Sequence, residues 1–271
     1  MNTQVPGVPE EDSPLVSIIT VCKNPGVLIR ETFLSVTLQS YSNIEYIIID
    51  GQSSDLTINW LTEPAQRCKI SVLISETDNG IYSAINKGIR VASGTIIGII
   101  HAGDTYEGDA ISSVVSEYRK HRNQFRIIAG GMRLIYENGD NKRVLKLKKG
   151  SVERLRISMT LFHPSVFVAK SSYIQHGVFD ETFKISGDYD LLRRFYIAGE
   201  KFLVLDKCLT SMRHGGISTQ LRSLRLIVVE YGRARFGTEI SPVRIVASII
   251  LGSLTLASMV KATLSRWRLP R

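Results

Sequence analysis

Apolar residues gather in two rhythms that alternate along the first hundred positions of this chain. Leu15–Cys22 (LVSIITVC) is an unbroken, β-branched run, the pattern of a parallel strand buried on both faces. Asn24-Pro25-Gly26 interrupts it, and Ile29, Phe33 and Val36 then recur at helical spacing. The alternation continues with a strand Ile44–Asp50, a helix through Leu56–Cys68 and a strand Lys69–Ser75. After a turn at Thr77–Gly80 come a helix Ile81–Val91 and a strand Gly94–Ile100. Such alternation predicts an open parallel sheet covered by helices on both faces.

After Asp104 the rhythm changes. The stretch Arg126–Gly150 predicts strands joined by a hairpin, with Asn138-Gly139 as the turn. Helical and loop pieces follow, then a strand over Pro164–Lys170, a helix within Phe183–Phe195 and a short strand near Lys201–Asp206. The chain therefore reads as a nucleotide-type α/β half, a mixed second half and a helical tail.

Charge separates that tail from the rest. The net charge is +9, and residues 221–271 carry nine Lys/Arg against Glu230 and Glu239, so +7 of it sits there. Leu221, Leu224, Ile227, Val228 and Tyr231 share one helical face, with Arg222, Arg225 and Arg233 off it. Ile245–Val260 holds 16 uncharged residues, fewer than the roughly 18–20 a spanning helix needs. Basic flanks around amphipathic helices suit an anionic membrane surface; a helical pair packed on the body fits the same pattern. The basic residues are not interleaved with aromatics, so the pattern offers no nucleic-acid partner.

With 44% hydrophobic and 22% charged residues the chain is globular, apart from a polar, acidic and flexible stretch at 1–13 with no secretory signal. Cys22, Cys68 and Cys208 are widely spaced and form no CxxC pair. That argues for a reducing compartment and against a disulfide framework or a zinc site.

No GxGxxG follows a strand and no GxxxxGK[ST] occurs, which removes the main support for dinucleotide dehydrogenases and P-loop kinases. Ligands of open α/β sheets bind outside the carboxyl ends of the strands. Those ends hold Asn24, Asp50, Glu76, Asp78 and Asp104, and any one of them alone reads as a turn residue. Phosphate bound there would need its charge met another way, most simply by a metal on carboxylates. A second acidic pair, Asp188 and Asp190, stands where the helix within Phe183–Phe195 begins; either could cap it or accept a proton from a substrate.

The segments VSIITVCKN, IEYIIIDGQSSDLT, SETDNGIYSAINKGIRVASGTIIGIIHAGDTY, FHPSVFV, GVFDETFKISGDYDLLRRFYIAGEKF and HGGIS follow in that order between about Pro14 and Thr219. Together they resemble the family-two inverting glycosyltransferases, and most of all bacterial members that build exopolysaccharide, capsule or O-antigen. The resemblance implies a GT-A-like α/β fold in one domain over 14–220. It comprises a Rossmann-like nucleotide-sugar half (14–104) and a mixed-sheet acceptor half (105–220), followed by the helical, basic tail (221–271).

It also implies roles. Asp50 matches the acid that contacts the nucleotide, with Lys23, Asn24 and Asp78 lining the same pocket. Asp104 of HAGD matches a metal ligand for Mg2+ or Mn2+, although Gly103 and His101 stand where relatives often carry Asp and Asn. Asp188 matches the catalytic base, with Gly187 in place of the usual Glu. His214 stands where several relatives bring a histidine to the metal or diphosphate. His163 and Asp190 are candidates for the acceptor side, and packing explains each of them as well.

These roles answer to one chemistry. An attacking hydroxyl must lose its proton, and a placed carboxylate accepts it; the leaving diphosphate gains charge that a divalent ion offsets. A glycosidase would instead flank one bond with two carboxylates and need no nucleotide half. The expected function is transfer of a sugar from a nucleotide-diphosphate sugar to the hydroxyl of a lipid-linked glycan acceptor in bacterial surface polysaccharide synthesis. The expected location is cytoplasmic, at the inner face of the cell membrane. The alternative is a non-catalytic relative that binds nucleotide or a partner in a polysaccharide assembly complex, and the glycines at 103 and 187 support it.

Overall fold

A computed structural model of the chain describes residues 13–121, 124–136, 142–213 and 223–237. The first strand, β1 (Val16–Cys22), is buried along nearly all its length. α1 (Leu28–Thr37) carries the chain to β2 (Ile44–Asp50), which lies parallel to β1 with Val16 opposite Ile44 and Cys22 opposite Asp50. α2 (Thr57–Thr62) and α3 (Pro64–Arg67) lead on to β3 (Val72–Ser75), parallel to β2. α4 (Ile81–Val91) then returns the chain across the sheet to β4 (Ile96–His101), parallel to β1 on its other side. The order of strands reverses at β1, and the crevice of an open α/β sheet forms at such a point.

Both faces are covered, as the continuous apolar strands require. Ile18 and Ile48 pack with Ile29, Phe33 and Val36 of α1. Their neighbours Ile19, Ile47 and Ile49 pack with Ile85 and Ile89 of α4 on the opposite face.

The second half extends the same sheet. In chain order it adds β5 (Thr105–Tyr106), α5 (Ala110–His121), β6 (Ile127–Ile135), β7 (Lys142–Leu145) and β8 (Val166–Ala169). α6 (Lys170–His176), α7 (Gly187–Ile197), β9 (Phe202–Arg213) and α8 (Leu224–Phe236) complete it. The strand order is β3-β2-β1-β4-β8-β6-β9-β5, with β7 against β6. β8 is antiparallel to both β4 and β6 and joins the two halves.

Several elements depart from the pattern-based expectation. The helix expected over Leu56–Cys68 is two short ones, because Pro64 lacks an N–H and forces Glu63 into an extended conformation (φ −57°, ψ 140°). The short strand near Lys201–Asp206 runs on to Arg213, because β6 offers it a long parallel edge with register shifts around Gly131. Two helices, α5 and α6, had no counterpart in the expected elements. Ala110, Ile111, Val114 and Val115 are nevertheless a helical stripe, buried on the sheet. The expected turn at Asn138-Gly139 lies outside the described residues, although the strands flanking it pair antiparallel, Ile135 opposite Lys142.

The tail begins on the body. Ile227 and Tyr231 of α8 are buried against α7, where the Tyr231 and Tyr189 rings stack at 4.4 Å between centroids. Arg233 pairs with Asp180 (2.7 Å) and lies over the Phe183 ring. The apolar face expected to meet either membrane or protein thus meets protein over 224–237. Leu221, Arg222 and the run Ile245–Val260 lie outside the described residues. No described helix is long and apolar enough to cross a membrane.

Replacing Tyr231 with alanine should empty the space beside Tyr189 and destabilise the fold by about 3 kcal/mol. Urea denaturation followed by circular dichroism measures this; an unchanged midpoint would mean that α8 contributes nothing to the body.

Candidate active site

The loops at the carboxyl ends of β1 and β2 are tied together by side chains. Asn24 adopts a left-handed conformation (φ 49°), its backbone N–H donates to Ser53 Oγ (2.8 Å), and its Oδ1 accepts the Ser54 N–H (2.7 Å). The Gly26 N–H donates to Asp55 (2.8 Å). Asp50, fully buried, accepts the Ser53 N–H (2.9 Å), the Ser75 hydroxyl (2.7 Å), the Ser53 hydroxyl and the Cys22 thiol. Its carboxylate closes the loop after β2 and anchors the end of β3. Burial, with Asp50 beside it, pushes the Cys22 thiol well up, so it stays protonated.

Lys23 and Asp78 both border Gly51, where an added Cβ would lie 3.4 Å from Lys23 Cδ and 3.2 Å from Asp78 Oδ2. Asp78 pairs with Lys87 (2.6 Å), which also holds Glu76 (2.8 Å). The four residues expected to line a nucleotide pocket, Lys23, Asn24, Asp50 and Asp78, therefore share one corner of the sheet edge.

The next acid stands at the end of β4. Thr32 of α1 accepts the Gly103 N–H (2.9 Å) and donates to the Asp104 carbonyl (2.7 Å), which locks the turn. Gly103 has φ +102°, a conformation that excludes an ordinary side chain, so a second carboxylate at that position would strain this backbone. The Asp104 carboxylate is buried and accepts the Arg213 N–H at 3.3 Å. Burial raises it to about 7, with Arg213 pulling the other way. The residue after Arg213, His214, lies outside the described residues. No group of three or more His, Cys, Asp and Glu among the described residues could hold a metal ion unaided.

A row of rings runs from this turn to α7. His101 stacks on His163 (5.9 Å between centroids), His163 meets Phe179 edge-on (5.8 Å), and Phe179 stacks on Tyr82 (5.3 Å). Burial lowers His101 to about 4 and, with His101 beside it, His163 to about 3, so both imidazoles are neutral near pH 7. Tyr82 ends the row: its hydroxyl donates to the Ile185 carbonyl (2.6 Å) and accepts the Gly187 N–H (2.8 Å). Asp188 is the next residue. Its Oδ1 accepts the Tyr189 N–H (2.8 Å), and burial raises it to about 6.

Gly187 stands where no side chain fits. A Cβ would come 2.7 Å from the Tyr82 ring, which is stacked and hydrogen-bonded in place. Asp190 is engaged elsewhere: it is buried and pairs with Arg194 (2.8 Å), whose other nitrogens bind the carbonyls of His176 and Val178. Its geometry is that of a structural ion pair.

Two residues that hold the segment before Asp188 carry little signal in the sequence. Tyr82 sits inside the recognised NGIYSAINKG stretch, but only its partner a hundred positions on gives it meaning. Glu230, in the basic tail, reaches the backbone of residues 184–186 with its carboxylate. A lone acid on the apolar face of a basic helix was the one signal available.

A curled mixed sheet with acids at the carboxyl edge of its parallel half is the GT-A architecture of nucleotide-sugar glycosyltransferases. Residues 17–183 match the family Glycosyl transferase family 2, and the chain belongs to it. Among curated relatives, an uncharacterized glycosyltransferase of Rickettsia prowazekii (strain Madrid E) is 29% identical over 214 residues, 76% of this chain and 66% of that one. A chondroitin synthase of Escherichia coli is 27% identical over 207 residues, 74% of this chain but only 29% of the synthase. The chain thus spans two thirds or less of these relatives.

In fold it is similar to a mannosyltransferase of Pyrobaculum calidifontis, solved with GDP-Man and Mn2+. There the TM-score is 0.63 and the identity 16%, covering 95% of this chain and 77% of that one. It is also similar to S. aureus TarS, residues 1–349, solved with UDP-GlcNAc (TM-score 0.61, 13% identity, 85% and 69% coverage).

Gly187→Ala should force the Tyr82 ring off its partners and lower stability by about 1–3 kcal/mol. Thermal or urea unfolding reads this directly, and a wild-type midpoint would mean that Tyr82 does not pack on residue 187.

Proposed function

We propose that this glycosyltransferase moves a sugar from a nucleoside-diphosphate sugar to a glycan hydroxyl with inversion, and that Asp188 is the general base. The observation that carries the reading is the continuous wall of rings from His101 to Tyr82. It links the turn holding Asp104 to the residue beside Asp188. An inverting displacement needs one carboxylate on the acceptor side and charge compensation on the diphosphate side.

Asp188 suits the first task. It lies in the first turn of α7, partly shielded from water, with its carboxyl raised to about 6. A carboxylate that holds a proton more readily is a better acceptor, and near pH 7 it is still mostly ionised. Lys23, Asn24, Asp50 and Asp78 would line the nucleotide pocket, Asp50 by holding the loop after β2 in shape. His163, neutral and walled in by rings, would meet the acceptor as a hydrogen-bonding group rather than a cation.

The residues fit a divalent metal. Asp104 is a buried carboxyl that becomes costly when ionised, and a cation beside it would restore the charged form. Asp104 and His214 would hold Mg2+ or Mn2+, with substrate phosphate and water completing the shell. A bound metal offsets charge on the departing diphosphate. The solved neighbour with GDP-Man and Mn2+ supports this reading. Residues 14–104 would form the donor half and 105–220 the acceptor half of one domain.

A lipid-linked acceptor at the cytoplasmic face of the membrane, in surface polysaccharide synthesis, accounts for the basic tail. The polysaccharide chemistry named for the chondroitin synthase agrees with it. The second reading, a non-catalytic nucleotide- or partner-binding relative, draws on the glycines at 103 and 187.

Turnover decides between the two. With a panel of UDP- and GDP-sugars, Asp188→Asn should lower transfer by about 10²–10⁴-fold while nucleotide still raises the melting temperature by mass action. Because the base must be ionised, the wild-type rate should climb with pH through about 6 and level off above it. A mutant as fast as wild type would remove Asp188 from the chemistry. For the tail, a chain ending at Gly237 should stay in solution when the intact chain sediments with anionic lipid vesicles. Equal sedimentation would place the membrane contact elsewhere.

A further inference from the structure

Glu230 is buried, 3% exposed, on a helix beyond the stretch matched to the family. Its carboxylate accepts three successive backbone N–H groups, from Lys184 (2.6 Å), Ile185 (3.0 Å) and Ser186 (2.7 Å). Consecutive N–H groups converging on one anion form a strong, directional grip, since each bond to a charged acceptor is stronger than a neutral one. Burying a carboxylate is costly without such partners, so the arrangement fixes both sides: the acid needs the loop and the loop needs the acid.

We propose that Glu230 is a positioning residue for the general base, holding the backbone of residues 184–186 so that Asp188 stands in its reactive place. This rests on the reading of Asp188 given above. The loop is gripped from two directions. Tyr82 on α4 binds the Ile185 carbonyl and the Gly187 N–H, and Glu230 on α8 takes the three N–H groups on the loop's other bonding side. Asp188 follows directly. α8 can hold firm because Tyr231 stacks on Tyr189 and Arg233 pairs with Asp180.

The arrangement also acts electrostatically. Burial acts most strongly on the Asp188 carboxyl and raises it, the N–H groups of Tyr189 and of Asp188 itself oppose that, and the negative charge of Glu230 on α8 adds a smaller upward push; Asp188 in turn acts on Tyr82 of α4 and Tyr231 of α8. Glu230 therefore adds to the preference for the protonated form, and its neutralisation moves Asp188 downward while burial still holds it above the usual carboxylate range.

The test uses the full chain, with release of UDP or GDP from UDP- and GDP-sugars as the rate and UDP or GDP with Mn2+ as the binding probe. Glu230→Gln should lower kcat at least tenfold, leave KM for the donor and the nucleotide-induced melting shift within twofold, and move the acid limb of the rate to lower pH. Glu230→Asp, which keeps the charge on a shorter arm, should retain the wild-type acid limb and recover part of kcat.

In an Asp188→Asn background, Glu230→Gln should cost nothing further. A Glu230→Gln enzyme at the wild-type rate, or one that loses the same factor again in the Asp188→Asn background, overturns the proposal. If Asp188→Asn is itself fully active, the base assignment fails first and the two failures are told apart. Amide hydrogen exchange needs no donor at all. Glu230→Gln should speed exchange at residues 184–188 and leave β1 and β4 unchanged, and unaltered exchange at 184–188 overturns the proposal as well.

Discussion

The parallel pairing of β1 with both β2 and β4 is the constraint on which the rest of this protein depends. β1 is the first strand of the chain and the middle strand of the parallel set, in register with its neighbours from Val16 to the carboxyl end. Parallel strands need crossover helices, and helices on both faces demand strands that are apolar on both sides. The reversal of strand order at β1 leaves its carboxyl end and that of β4 side by side. Every candidate functional residue of the first half emerges along that edge. The two polar residues buried within β1 are both bonded, Ser17 to Glu45 and the Gly94 N–H and Thr20 to Tyr46.

Burial then sets the chemistry. Asp50 is fully enclosed yet satisfied by serine hydroxyls, an N–H and a thiol, so its burial carries little penalty. Asp104 and Asp188 have fewer donors, and both are raised, to about 7 and about 6. Burial is the main cause in both. Asp104 stands just past the end of β4 and Asp188 in the first turn of α7, and a carboxyl short of partners is one that a cation or a proton can satisfy. The neutral His101 and His163 between them add polar edges without adding charge.

The second half is an extension of the first rather than a separate body. β8 bridges β4 and β6, the ring row crosses from His101 to Tyr82, and Glu230 reaches back from α8 to the loop before α7. Elements far apart in the chain therefore determine where Asp188 stands. The helix that begins the basic tail is one of them, so the tail's first turns belong to the catalytic body whatever the remainder meets.

Local pattern was enough to place the order of strands and helices in the first hundred residues, though not every boundary, together with the candidate acids at the strand ends and the helix that carries Asp188. Those features are written in short-range periodicity and in residues that end an element, such as the Asp50 terminus of β2. Pro64 and the long edge of β6 changed element lengths, one through a local backbone constraint and the other through a partner distant in sequence. Only the tertiary structure decided that Asp190 is spent on Arg194, that Gly187 exists to admit Tyr82, and that Glu230 serves a loop more than forty residues earlier. The physical reason is the same in each case: a side chain's partners across the fold are not encoded in its neighbours along the chain.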